Sequence, residues 1–154
     1  MSKANVVFAS LTGNNEQVAE IIVKQLTEKG VAASLLDISQ TDPSDLSAGD
    51  LLVVVPYTDG EGDLPEEGLD FYDDLAETQY PKMVFGVAGS GDKFYKEDYC
   101  KAVTDFDHQL AKTGATRGAE PLFIDLDPDE DDEKRLAAFT NDLLTTVVQT
   151  KTHA

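Results

Sequence analysis

The chain has 154 residues, 41% of them hydrophobic, and a formal net charge of −18 from 30 acidic and 12 basic residues. That length predicts one domain, 1–154, with a core sealed between a sheet and two helix layers. Such acidity repels nucleic acid and anionic membrane surfaces, no basic stripe offsets it, and no apolar run reaches the length of a membrane span. Nucleic-acid binding and membrane insertion are thereby excluded, and with no signal-peptide pattern a cytoplasmic location is expected.

Five apolar, largely β-branched runs, at 5–9, 33–38, 51–56, 83–88 and 121–126, alternate with helical patterns. Alternation of this kind predicts an α/β fold, a doubly wound five-stranded parallel sheet with helices on both faces. The first run feeds into Ser10-Leu11-Thr12-Gly13-Asn14-Asn15, a turn rich in hydroxyls and amides that opens a helix over 14–29. Val18, Ile21, Ile22 and Leu26 share one face of that helix, and Gly30 is its stop signal. After the third run, 65–78 has a helical pattern whose apolar contacts are Leu69, Phe71, Tyr72 and Leu75. A later helix carries Tyr99, Val103, Phe106 and Leu110 on a stripe. The last starts at Asp127-Pro128 with acids in its first turn, buries Leu136, Phe139, Leu143 and Val147, and frays after Gln149.

In an open α/β sheet, ligands bind outside the carboxyl ends of the strands, near the point where strand order reverses. Three loops leave those ends, at 10–15, 56–64 and 89–95, each rich in glycine and in hydroxyl or acidic residues. The Ser10 and Thr12 hydroxyls, the Asn14 and Asn15 amides and the N–H groups of residues 11–15 could together hold a phosphate dianion, helped by the positive end of the helix dipole. The same residues could instead serve only to cap the helix. Cys100 has no partner for an internal disulfide and falls on the apolar side of a helical pattern. His108 and His153 have no second ligand or acid at catalytic or metal spacing, and no Ser/His/Asp, Cys/His or zinc pattern is present, so no catalytic or metal residue is assigned. Asp59, Glu61, Asp63, Glu66 and Glu67 crowd the same edge, either as a docking face for a basic partner or simply as solvated surface.

These loops resemble those of the flavodoxins over nearly the whole chain. Ser10, Thr12 and Gly13 match the family's phosphate loop, with Asn15 where threonine is usual. Gly89-Ser90-Gly91-Asp92-Lys93-Phe94-Tyr95 is similar to its Gly-x-Gly-Asp-x-x-Tyr loop, and Tyr99-Cys100-Lys101-Ala102-Val103 to the helix that follows. Tyr57-Thr58-Asp59-Gly60-Glu61-Gly62-Asp63-Leu64-Pro65 resembles the third-strand loop, except that an aromatic residue, commonly tryptophan, is expected where Asp59 stands. The chain length, and a fifth strand that runs directly into Asp127-Pro128, place the resemblance in the short-chain branch.

The resemblance implies a sheet of order 2-1-3-4-5 and a one-electron carrier of low potential that holds FMN non-covalently. The implied cofactor contacts are Ser10, Leu11, Thr12, Gly13, Asn14 and Asn15 at the phosphate, and Tyr57, Thr58, Asp59, Gly60, Gly89, Ser90, Gly91, Asp92 and Tyr95 around the ring. Tyr95 would stack on the isoalloxazine, Asp92 would approach its pyrimidine end, and the Gly60 peptide, free of a Cβ, could flip its carbonyl toward flavin N5. A carboxylate at Asp59 about 6 Å from a reduced flavin, at an effective dielectric near 20, implies repulsion on the order of 2–3 kcal/mol, or roughly 0.1 V on a one-electron couple. The implied partners are basic-faced redox proteins, a reductase on one side and acceptor enzymes on the other, meeting a monomer transiently.

The alternatives are an FMN-dependent quinone-type reductase and a cofactor-free binding or regulatory protein on the same fold. Phosphoacceptor receiver domains share the architecture, but want an acidic pair where Ser10 and Leu11 stand and a lysine where the acids after the fifth run stand.

Overall fold

The computed structural model describes residues 3–9, 14–46, 49–56, 66–91, 101–125 and 129–152. Strand β1 (Lys3–Phe8) leads to helix α1 (Asn14–Glu28), strand β2 (Ala32–Asp37), two 3₁₀ turns at Ile38–Gln40 and Pro43–Leu46, and strand β3 (Leu51–Val55). Helix α2 (Glu66–Leu75), strand β4 (Val84–Gly91), helix α3 (Lys101–Ala111), short strands β5 (Thr116–Arg117) and β6 (Leu122–Asp125) and helix α4 (Glu130–Thr152) complete the order. The sheet runs β2-β1-β3-β4, with β5 and β6 both pairing beyond β4, and every pairing is parallel. This is the doubly wound 2-1-3-4-5 sheet expected from the sequence.

The fifth position departs from expectation because it is filled in two pieces. Thr116 and Arg117 pair with Val84 and Phe85, and pairing resumes with Leu122 opposite Ala88. Four residues, 118–121, thus lie opposite two, 86–87, and the strand bulges between its halves. A single apolar run starting at 121 marks only the second piece, because Thr116 and Arg117 are exposed and carry no apolar signal.

Period-two geometry sorts the strand residues to the two faces. Val6, Leu51, Val53, Val55, Val84 and Ala88 join the core under α1 and α4, with Val18, Ile22, Leu26, Leu136, Phe139, Leu143 and Val147. Val7, Leu52, Val54, Phe85 and Val87 join the opposite core with Phe71, Leu75, Val103, Phe106 and Leu110 of α2 and α3. All five residues of β3 are buried, as a central parallel strand requires. Each aliphatic side chain so buried contributes roughly 1.5–3 kcal/mol relative to exposure.

Local signals place the close of α1 and the start of α4. Gly30 adopts φ 83°, its N–H donates to the Thr27 carbonyl at 3.0 Å and that of Val31 to the Leu26 carbonyl at 3.0 Å, which closes α1 with a Schellman motif. Asp129 caps α4 reciprocally with Asp132: the Asp132 N–H donates to Asp129 Oδ1 at 2.8 Å and the Asp129 N–H to Asp132 Oδ2 at 3.1 Å. Three expectations are corrected. Leu69 on α2 is 40% exposed rather than an apolar contact. Helix α4 continues past Gln149 to Thr152. Residues 89–91, expected as the start of a loop, extend β4, because Gly89, Ser90 and Gly91 pair with Phe123, Ile124 and Asp125. Asp127, Pro128, Tyr99, Cys100 and His153 lie outside the described residues, whereas His108 is exposed on α3.

Candidate functional site

The carboxyl ends of β1, β3 and β4 lie side by side. Phe8 pairs with Val55, the Ala9 N–H extends the ladder to the Val55 carbonyl at 3.0 Å, and Val54 pairs with Val87. Of the strands that end at this edge, β1, β3 and β4 are followed, after Ala9, Pro56 and Gly91, by the three segments singled out from the sequence. The order reverses here: β1 lies between β2 and β3, and the chain passes from one side of β1 to the other, the crevice in which α/β sheets hold ligands.

Ser10, Leu11, Thr12, Gly13, Tyr57, Thr58, Asp59, Gly60, Asp92 and Tyr95 lie outside the described residues. Asn14 and Asn15 form the first turn of α1. Its leading N–H groups have no intrahelical acceptor. Gly89, Ser90 and Gly91 close β4. The described frame therefore brings together the strand ends and the helix start from which all fifteen predicted contacts spring. The described frame offers backbone donors at the start of α1 and glycine-rich backbone at the end of β4.

The described elements that flank the two segments expected around the ring are in contact with one another. At the near end, a Cβ built on Gly89 would run into the Pro56 carbonyl oxygen and would lie 2.8 Å from Val103 Cγ2 and 3.3 Å from Pro56 Cδ. At the far end, α2 and α3 pack through Tyr72 against Phe106, edge to face with centroids 5.2 Å apart, and Phe71 against Phe106 at 6.4 Å. Gln109, largely buried, donates from Nε2 to the Tyr72 carbonyl at 2.9 Å across the same interface. Burial raises the Tyr72 phenol above its ordinary range, with Asp105 and Asp73 adding to the effect.

Helix α3 is also pinned to the far side of the sheet. Asp107, 4% exposed, accepts from Arg117 Nε at 2.9 Å and from Nη2 at 2.6 Å, and the Arg117 guanidinium lies 5.6 Å from the Phe85 ring centroid. Gln109, Asp107 and Arg117 were not legible as supports of the site, since polar residues on an amphipathic helix ordinarily read as solvated.

Among the described residues no group of three or more His, Cys, Asp or Glu could hold a metal ion, and no helix is long and apolar enough to cross a membrane.

The Flavodoxin family model matches residues 6–139. Probable flavodoxin 1 of Bacillus subtilis (strain 168) is 35% identical over 133 residues, which cover 86% of this chain and 84% of that protein. The sulfite reductase (NADPH) flavoprotein alpha-component of Vibrio vulnificus (strain CMCP6) is 35% identical over 130 residues, 82% of this chain but 21% of that protein, so this chain spans about a fifth of its length. Among solved structures, a short-chain flavodoxin associated with a PDU bacterial microcompartment superposes with a TM-score of 0.93 at 51% identity, covering 96% of this chain and 99% of that one. A flavodoxin from Streptococcus pneumoniae TIGR4 superposes with a TM-score of 0.91 at 41% identity, covering 94% and 99%.

Proposed function

The chain belongs to the flavodoxin family, and we propose that it shuttles electrons at low potential between a reductase and acceptor enzymes. It is an FMN-binding electron-transfer protein rather than an enzyme, of the short-chain type. FMN, when bound, supplies one-electron oxidation and reduction, and the protein supplies binding, orientation and electrostatics.

The observation that carries the reading is that β1, β3 and β4 end side by side, each followed in the chain by a glycine-containing segment, with α1 the next element after β1. In this reading the backbone and side chains of Ser10, Leu11, Thr12, Gly13, Asn14 and Asn15 hold the phosphate, without a cation, by amide and hydroxyl donors. Tyr57, Thr58, Asp59 and Gly60 line one side of the ring, and Gly89, Ser90, Gly91, Asp92 and Tyr95 the other. Tyr95 stacks on the ring, while Asp59 sets a negative charge beside it that disfavours added electrons and lowers the potential.

The net charge of −18 suits transient docking to basic-faced partners, steered at long range and weakened by salt. Similarity to sulfite reductase flavoprotein alpha-components supports a reductase flavoprotein as one of them. The protein acts in this reading as a cytoplasmic monomer of one domain.

Titration of the apoprotein with FMN, followed by fluorescence, and then stepwise dithionite reduction tests the proposal. Saturable quenching and two resolved one-electron steps, the second at low potential, are the expected result. Absence of binding at micromolar FMN refutes it.

A further inference from the structure

We propose that the outer border of β2 is a docking site for an extended segment of a partner protein that carries lysine or arginine and adds to the sheet as a further strand. The inference goes beyond electron transfer and does not depend on it.

The sheet has two unlike borders. At the fifth position the strand is split by its bulge, and side chains of α4 take up two of its carbonyls: Arg135 Nη2 donates to that of Phe123 at 2.9 Å and Thr146 Oγ1 to that of Gly118 at 3.2 Å. At the other border β2 pairs only with β1, in one unbroken register from Lys3 opposite Ala32 to Phe8 opposite Asp37. Strand β2 holds no proline, lysine or bulge, the devices that ordinarily blunt an edge, and Ala32, Ser34, Leu35 and Asp37 are exposed along it.

The ladder fixes which groups face outward. The Lys3 carbonyl accepts from the Asp50 N–H at 2.9 Å and the Ala9 N–H donates to the Val55 carbonyl at 3.0 Å, so odd-numbered residues of β1 bond toward β3 and even-numbered ones toward β2. With Val6 opposite Leu35, the β1 partners in β2 are the even-numbered residues, which turns the N–H and carbonyl of Ala33 and Leu35 and the N–H of Asp37 to the open side. The Asp37 carbonyl accepts from Thr41 Oγ1 at 2.7 Å, and no hydrogen bond from another described element reaches the outward groups of Ala33 and Leu35.

Charge selects the occupant. Residues 30–81, which include β2, hold thirteen acids and no lysine, arginine or histidine. Where β2 ends, a groove of about 300 Å³ opens between residues 38–42 and α2, lined by Asp42, Asp70 and Asp74 beside Ile38 and Phe71. A basic segment is attracted along this whole border, whereas a second copy of the chain, at net charge −18, brings acid to acid. In strand addition the backbone pairing supplies affinity, and the side chains of alternate residues supply specificity.

The probe is a fluorescent peptide of alternating lysine and valine, as long as the six residues of β2, added to the full chain. A twin peptide, N-methylated at every residue, keeps the charge and loses every backbone donor. Fluorescence anisotropy reads affinity, and residue-resolved amide hydrogen exchange reads the edge. The expected result is saturable binding, slower exchange at Ala33 and Leu35, and binding of the twin weaker by roughly tenfold or more. Leu35→Lys, a charge at an exposed position of the border, is expected to weaken the unmethylated peptide as well. Equal binding of the two peptides, which means charge attraction alone, overturns the proposal, as does unchanged exchange at Ala33 and Leu35 or undiminished binding to a folded Leu35→Lys. Protection of these amides that grows with protein concentration in the absence of peptide also overturns it, since the border then takes a second copy of the chain.

Discussion

Replacing Tyr80 by phenylalanine removes one oxygen and tests how the segment between β2 and β3 is anchored. Tyr80 is 2% exposed, and its hydroxyl donates to the carbonyl of Pro43, thirty-seven positions earlier in the chain. The Tyr80 N–H donates to the Thr113 carbonyl at 2.8 Å, so the residue ties the 3₁₀ turn at Pro43–Leu46 to the turn that follows α3. Phenylalanine keeps the ring in the core and deletes only the buried hydrogen bond, at a cost of about 1–2 kcal/mol near neutral pH. The same hydroxyl also sets an alkaline dependence. Burial, and then the Asp42 carboxylate, push the Tyr80 phenol well above the usual tyrosine range in the folded state.

The unfolded tyrosine ionises near pH ~10, so above that pH the native state holds one more proton than the unfolded state. The contribution is fully present below pH ~10 and is lost at about 1.4 kcal/mol per pH unit as pH rises toward the raised native value. Wild type and Tyr80→Phe should therefore differ most at pH 7 and converge roughly one pH unit above the free tyrosine value. Tyr72, raised in the same direction, adds an equal slope to both proteins. Urea unfolding followed by far-ultraviolet circular dichroism from pH 7 to strongly alkaline conditions reads both quantities. Equal stability at pH 7, or parallel alkaline limbs, would refute the reasoning.

Three further outcomes are expected. Asp107→Asn turns an amide donor toward the Arg117 guanidinium in a site where the acid side chain is 6% and the arginine side chain 39% exposed, and should cost roughly 1–3 kcal/mol in urea unfolding; a change within error means the pair is solvent-screened. Gly30→Ala meets nothing within 4 Å, so its cost is only that of φ 83° for a side chain, about 1 kcal/mol by thermal unfolding, and a neutral result would show that the Schellman turn relaxes. Asp59→Trp should tighten FMN binding and raise the lower midpoint potential by roughly 0.1 V in spectroelectrochemical titration, and a variant unchanged in both would place the Asp59 charge out of reach of the ring.

Much of the fold was legible because its causes are local. Five β-branched runs and the helical stripes between them follow from side-chain periodicity, and Val53 and Val54 enter opposite cores for that reason alone. Gly30 was legible as a stop because only a residue without a Cβ readily takes that backbone angle. The split fifth strand was not: Thr116 and Arg117 join the sheet through backbone pairing with Val84 and Phe85, which leaves no apolar trace. Leu69 was misplaced because its stripe position on α2 does not reveal whether a neighbour covers it.

For the candidate site the division is similar. The amino-acid sequence by itself determined which segments carry hydroxyls, glycines and acids, and that each follows an apolar run, because composition and strand-to-loop order belong to the chain. Only the tertiary structure decided that these runs end at one edge, that the Pro56 carbonyl occupies the space a Gly89 side chain would need, and that Asp107 finds Arg117 and Gln109 finds the Tyr72 carbonyl. Those contacts join residues on different elements, so their energies depend on the positions of both partners, and no local pattern in either segment carries that information.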